Sequence, residues 1–114
     1  MLKSKRINLS KNRILAGLPV KESRRLMPHL EFVPLARRDI IQKPGETLRY
    51  SYFPEDAIVS LLTAMKDGST VEVGVIGCEG ILGIQAFLGT RTISNVAIVQ
   101  VAGGTHLAVV TSLR

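Results

Sequence analysis

Ala57-Ile58-Val59-Ser60-Leu61-Leu62-Thr63-Ala64, Lys66-Asp67-Gly68-Ser69 and Thr70-Val71-Glu72-Val73-Gly74-Val75-Ile76, almost contiguous in the chain, are the stretch that decides the fold. The first segment is a nearly unbroken apolar run of strand length, as a buried strand requires. Asp67-Gly68 tolerates the left-handed backbone that a two-residue hairpin turn demands, so a tight reversal is predicted there. The third segment alternates: Val71, Val73 and Val75 are expected to face one way and Thr70, Glu72 and Gly74 the other, giving a dry and a wet face.

Working outward, the same punctuation continues. Leu48–Phe53 alternates aromatic and polar residues, while Ile40-Ile41 and Phe32-Val33 with Leu35 are short β runs. Pro44-Gly45 reads as a type II turn, because proline presets the first central φ and glycine accepts a positive second one. Downstream, Asn95–Val101 and Thr105–Val110 are predicted strands, with a turn at Gly103-Gly104. Thr111 or Ser112 is placed to cap a helix that barely begins. The segment Gly77-Cys78-Glu79-Gly80-Ile81-Leu82-Gly83 is too glycine-rich for a regular strand and too apolar for a linker, so it must pack while turning.

Upstream of Glu31 the period is helical. Ser10 is predicted to cap a short helix carrying Ile14, Leu15 and Leu18, with Gly17 and Pro19 as the stop. Val20–Met27 follows as a second helix, with Glu22 and the Arg24-Arg25 pair matched to the helix dipole and Pro28 limiting its length. Its buried side is assigned to Leu26, Met27 and Leu30. The organisation expected is therefore an N-terminal helical segment over 1–30 and a mainly β domain over 31–114, an antiparallel sandwich or jelly roll with helices at one end.

Composition narrows the function. At 114 residues one domain is expected, and 46% apolar residues argue against disorder. No apolar run approaches the ~18 residues of a membrane-spanning helix, and no secretory signal follows the basic N-terminus, so a cytoplasmic protein is expected. One cysteine, Cys78, cannot by itself hold an iron–sulfur cluster or a structural zinc. The net charge of +6 is all N-terminal: up to Arg38 there are ten Lys and Arg against two Glu, and from Asp39 onward five against seven acids. These single, spaced bases without aromatic partners read as solvated helix faces rather than a nucleic-acid groove.

Enzymatic signatures are missing. His29 and His106 form no His-x-His metal pattern; Ser60, Ser94 and Ser112 sit in no nucleophile elbow; neither a Walker loop nor a dinucleotide fingerprint occurs. Glu55-Asp56 beside Pro54 reads as a solvated turn, and Cys78, with no adjacent cation, as a structural thiol.

Several pieces taken in order carry a resemblance: Leu18-Pro19, Met27-Pro28-His29-Leu30, Pro44-Gly45-Glu46, Tyr52-Phe53-Pro54, Ile58–Leu62, Asp67-Gly68, Val71-Glu72-Val73-Gly74, Gly77-x-Glu79-Gly80 and Ala97-Ile98-Val99-Gln100. From about Asn12 onward the chain resembles the N-terminal sensor domain of Crp/Fnr-type transcription regulators. The resemblance implies a double-stranded β-helix (jelly roll), like a cyclic-nucleotide-binding domain. It also implies a homodimeric, cytoplasmic parent protein that reads DNA through a C-terminal dimerisation helix and helix-turn-helix absent from this sequence. No enzyme activity is implied.

The family's cyclic-nucleotide members hold the ligand with a Gly-Glu-Leu-Gly turn and an Arg-Ser or Arg-Thr pair before the next strand. The corresponding turn here reads Gly80-Ile81-Leu82-Gly83 and the position before Ala97 reads Asn95-Val96, so both charged anchors are replaced. A phosphate buried there would lose its hydration without a charge-assisted partner. Arg91-Thr92 is an alternative phosphate anchor lying four residues too early, and Glu79 an alternative carboxylate. The preferred expectation is that Ile81 and Leu82 plug the barrel. No cofactor is expected and a cyclic nucleotide is disfavoured, leaving the barrel as an apolar pocket for an effector of unknown identity or as a passive dimer-coupling module. The competing readings are a cyclic-nucleotide module of a channel or kinase, and a stand-alone interaction fragment.

Overall fold

In the computed structural model, which describes residues 10–46, 49–83 and 95–109, the central hairpin pairs β4 (Ile58–Ala64) with β5 (Thr70–Ile76) antiparallel. Its loop differs from the two-residue turn expected. The Gly68 N–H donates to the Met65 carbonyl at 3.0 Å and the Met65 N–H to the Ser69 carbonyl at 2.7 Å, with Gly68 at φ 89°. This is a three-residue loop ending in a left-handed glycine. Asp67 stabilises it by accepting from the Ser69 N–H at 2.9 Å and hydroxyl at 2.6 Å, contacts that hold its carboxyl below the usual aspartate range.

The dry face expected on β5 does not exist. Val71, Val73 and Val75 are each about half exposed. Two causes are visible. β5 is the outermost strand of a four-stranded sheet ordered β2 (Ile40–Gln42), β6 (Val96–Val101), β4, β5. In addition, the register slips so that Leu61 faces Gly74 but Leu62 faces Glu72. That bulge breaks the alternation, leaving Val71 and Val75 on opposite faces.

The second sheet has the order β1 (Leu30–Leu35), β7 (Gly103–Val109), β3 (Tyr50–Pro54), all antiparallel. Together the sheets form the jelly roll expected, with two short helices, α1 (Arg13–Ala16) and α2 (Val20–Leu26), and a 3₁₀ turn (Met27–His29) packed beside it. Gly103 and Gly104 are not a turn but lie within β7. A Cβ on Gly104 would meet the Phe32 ring at 2.1 Å, and one on Gly103 the Ala57 nitrogen at 2.6 Å. These glycines serve close approach rather than chain reversal. Leu48, Val110, Thr111 and Ser112 lie outside the described residues.

The three-stranded sheet is covered on both faces. Leu15 from α1 packs with Leu30, Phe53 and Ala108, and Leu18, Leu26, Met27 and Ile81 close around them, so the expected buried side of α2 is observed. Complete burial of a leucine such as Leu15 contributes about 1.5–3 kcal/mol. On the opposite face, between the sheets, Val59, Leu82 and Ala97 pack with Ile41, Tyr52, Leu61 and Ile76.

Ser10 does not cap α1. Asn12 does, its Oδ1 accepting from the Ile14 N–H at 3.0 Å and the Leu15 N–H at 3.2 Å, while the Ser10 hydroxyl accepts from the Asn12 N–H. A cap must stand immediately before the first helical residue, and that residue is Arg13.

Candidate effector site

The site is built on the corner that follows β5. The Gly80 N–H closes a turn onto the Gly77 carbonyl at 3.1 Å, after which Leu82 exchanges two backbone hydrogen bonds with Tyr52, each 2.9 Å. This isolated bridge ties the corner to the inner three-stranded sheet. Successive side chains therefore diverge: Ile81 joins the helix-side cluster around Leu15, and Leu82, 2% exposed, enters the space between the sheets beside Val59 and Ala97. Gly83 sits at φ 92°, with the place of a Cβ only 2.7 Å from the Tyr50 carbonyl oxygen. Only glycine fits that position without displacing the strand.

Asn12 holds the corner from outside. It is fully buried, and its Nδ2 donates to the Gly80 carbonyl at 2.9 Å and the Pro54 carbonyl at 2.8 Å. The adjacent Arg13 N–H donates to the Cys78 carbonyl at 2.6 Å. One side chain thus joins α1, the end of β3 and the corner. Sequence reasoning missed it because both carbonyl partners lie more than forty residues away.

The expected site residues divide as follows. Glu79 is exposed and turns its carboxylate back to the Gly77 N–H at 3.4 Å. Gly80, Ile81, Asn95 and Val96 are half-buried, while Leu82 and Gly83 are buried. Val96 pairs with Leu62, whereas the next residue, Ala97, is the one that packs against Leu82. Arg91 and Thr92 lie outside the described residues. Every Lys and Arg among the described residues is exposed, so none of them lines the space around Leu82. The nearest phenol there is Tyr52, whose ionisation is pushed up by burial and then by Tyr50, keeping it a neutral donor.

Glu55-Asp56 is not simply a solvated turn. His106 Nε2 meets Glu55 Oε2 at 2.5 Å, with both side chains largely buried. Glu55 also accepts from the Lys11 N–H at 3.1 Å, and Asp56 pairs with the Lys11 ammonium at 2.7 Å in water. His106 lies in the middle of β7 with its ring in a T-shaped contact with Phe32, and His29 closes the 3₁₀ turn after α2. Among the described residues no group of His, Cys, Asp and Glu is arranged to hold a metal ion. Cys78 is a half-buried free thiol.

With this geometry in place, comparison with solved structures is informative. No protein-family model and no curated protein matches the chain. The regulatory subunit of a cAMP-independent protein kinase A from Trypanosoma cruzi, bound to guanosine, superposes with a TM-score of 0.80 at 18% identity over 95% of this chain and 39% of that one. The sensor domain of the transcriptional regulator DNR from Pseudomonas aeruginosa does so with a TM-score of 0.79 at 14% identity, over 99% and 77%. A cyclic nucleotide-binding domain from Methylobacillus flagellatus gives 0.75 at 12% identity, over 96% and 62%. The fold is that of a cyclic-nucleotide-binding domain, the class shared by kinase regulatory subunits and transcription-regulator sensors. The resemblance to a Crp/Fnr-type sensor domain holds at the level of this fold. The chain spans about two fifths of the kinase subunits it matches. No helix among the described residues is long and apolar enough to cross a membrane.

Proposed function

We propose that this chain is the sensor domain of a Crp/Fnr-like transcription regulator, without enzymatic activity, and that it answers to an uncharged effector rather than to a cyclic nucleotide held in the usual way. The observation that carries this reading is the placement of Leu82 between the sheets, with every described cation outside them. A cyclic phosphate there would be stripped of water with no guanidinium among the described residues to replace it. The Trypanosoma cruzi subunit bound to guanosine supports an uncharged effector, since a nucleoside has no phosphate. In the parent protein, effector binding would shift a homodimer between two states, and an appended helix would carry the shift to a DNA-reading domain. The parent is expected to work in the cytoplasm, with DNA reached only through that further domain.

Two experiments test the proposal. Calorimetric titration of the domain with cyclic AMP and cyclic GMP is expected to give no saturable heat. Micromolar binding would overturn the uncharged-effector reading, and its loss in Arg91→Ala would assign the phosphate to that residue. The coding sequence beyond Arg114 is expected to specify a long amphipathic helix followed by a helix-turn-helix; a kinase or channel module there would overturn the regulator reading.

A further inference from the structure

Gln42 ends β2 opposite Ala97 of β6, and the register between these strands slips between Ile40 and Gln42. Directly opposed residues in an antiparallel pair show their side chains to the same face. Ile40, opposite Ile98, therefore points out and is half exposed, whereas Gln42 shares the inner face with Ala97 and is only 6% exposed. The bulge turns Ile41 inward as well, where it packs against the Val59–Leu82–Ala97 cluster.

The Gln42 carboxamide nitrogen is buried and has no hydrogen-bond partner among the described residues. A buried amide donor is rarely left so, because its lost hydration is not repaid. A water molecule is a poor remedy on this face: it needs two to four polar partners, and the side chain directly opposite Gln42 is that of Ala97, while its neighbour in β2, Ile41, joins the apolar cluster around Ala97. An acceptor carried on an apolar body satisfies the amide and the walls at once. We infer that Gln42 is the polar anchor of an effector site on the inner face of the four-stranded sheet, its Nε2 donating to the carbonyl-type acceptor of an uncharged, mainly apolar ligand. The inference rests on the reading of the barrel interior as the effector site and specifies its chemistry.

The test uses two probes of equal size on the whole 114-residue chain, cyclohexanone and methylcyclohexane, which differ by one acceptor. Binding is followed by amide NMR, with the side-chain NH₂ of Gln42 as a direct reporter. Cyclohexanone is expected to bind saturably and to move the Gln42 NH₂ resonances downfield. Gln42→Met, which keeps length and removes the donors, is expected to weaken cyclohexanone about tenfold, the scale of one hydrogen bond, and to leave methylcyclohexane unchanged. Equal effects on both probes, or NH₂ resonances that stay fixed while cyclohexanone saturates, would overturn the role of Gln42. Failure of cyclohexanone to bind would overturn it too. Cyclic AMP added to the same sample separates the two levels: micromolar binding of the nucleotide would sink the uncharged-effector reading itself, whereas the other failures leave that reading standing and remove only Gln42.

Discussion

Replacing Asn12 by alanine removes four hydrogen bonds at once, two accepted from the Ile14 and Leu15 amides and two donated to the Pro54 and Gly80 carbonyls. The lost helix cap costs about 1 kcal/mol. The two carbonyls left in a buried environment cost roughly 1–2 kcal/mol each. The sum, about 3–5 kcal/mol, is a large share of the ~5–15 kcal/mol that holds a domain of this kind folded. Two variants divide the effect. Asn12→Ser keeps a capping oxygen and is expected to lose mainly the carbonyl share. Asn12→Asp also keeps the cap but sets a carboxylate oxygen against two carbonyl oxygens, and is expected to be at least as damaging as alanine at neutral pH. Urea unfolding checks all three, with midpoints falling at constant m-value. A loss below about 1 kcal/mol in Asn12→Ala, or wild-type stability in Asn12→Asp, would refute the assignment of Asn12 as the pin between α1 and the corner.

Gly83→Ala is expected to cost at least about 1–3 kcal/mol, because φ is positive and the new methyl would meet the Tyr50 oxygen; an unchanged urea midpoint would contradict the close approach. Glu55→Ala removes the partner of His106 and the acceptor of the Lys11 amide, an expected loss of about 1–3 kcal/mol. Lys11→Ala, which breaks only the solvent-exposed pair with Asp56, is expected to leave the same unfolding curve almost unmoved. The chain has two tyrosines, and phenolate absorbance should show Tyr52 ionising later than an ordinary phenol, since burial and Tyr50 raise it. The folded state favours the neutral phenol, so this stabilisation is complete below the ordinary phenol pKa and is lost as pH rises through the folded value; Tyr52→Phe should abolish the late step.

The strands were legible where local pattern and tertiary role agree. Asp67-Gly68 marks its hairpin because the left-handed backbone is a local demand, and Pro44-Gly45 likewise, with Gly45 at φ 81°. The valines of β5 show where pattern misleads. Their alternation is real in sequence, but a bulge opposite Leu61 and Leu62 and an edge position decide what is buried. Gly103-Gly104 fails for a similar reason: a glycine pair has the same sequence signature whether it bends the chain or admits a phenyl ring. The site was legible as a corner around Gly80–Gly83, since such a run must turn and pack. Its fasteners were not. Asn12 and Glu55 bond to residues brought near only by the sheet register, and Gln42 faces inward because of a slip between β2 and β6. None of these follows from neighbours in the chain.

Thermal unfolding of the domain with and without cyclic AMP bears most directly on the reading that no Lys or Arg among the described residues lines the space beside Leu82. A ligand bound with a Kd near 10 µM and supplied at about 1 mM would add about 2.7 kcal/mol to the native state, enough to raise Tm by roughly 10 °C in a domain of this size. The account predicts superimposable melting curves. A rise of that size, persisting at moderate salt, would show that a cation does reach the space beside Leu82 and would contradict it.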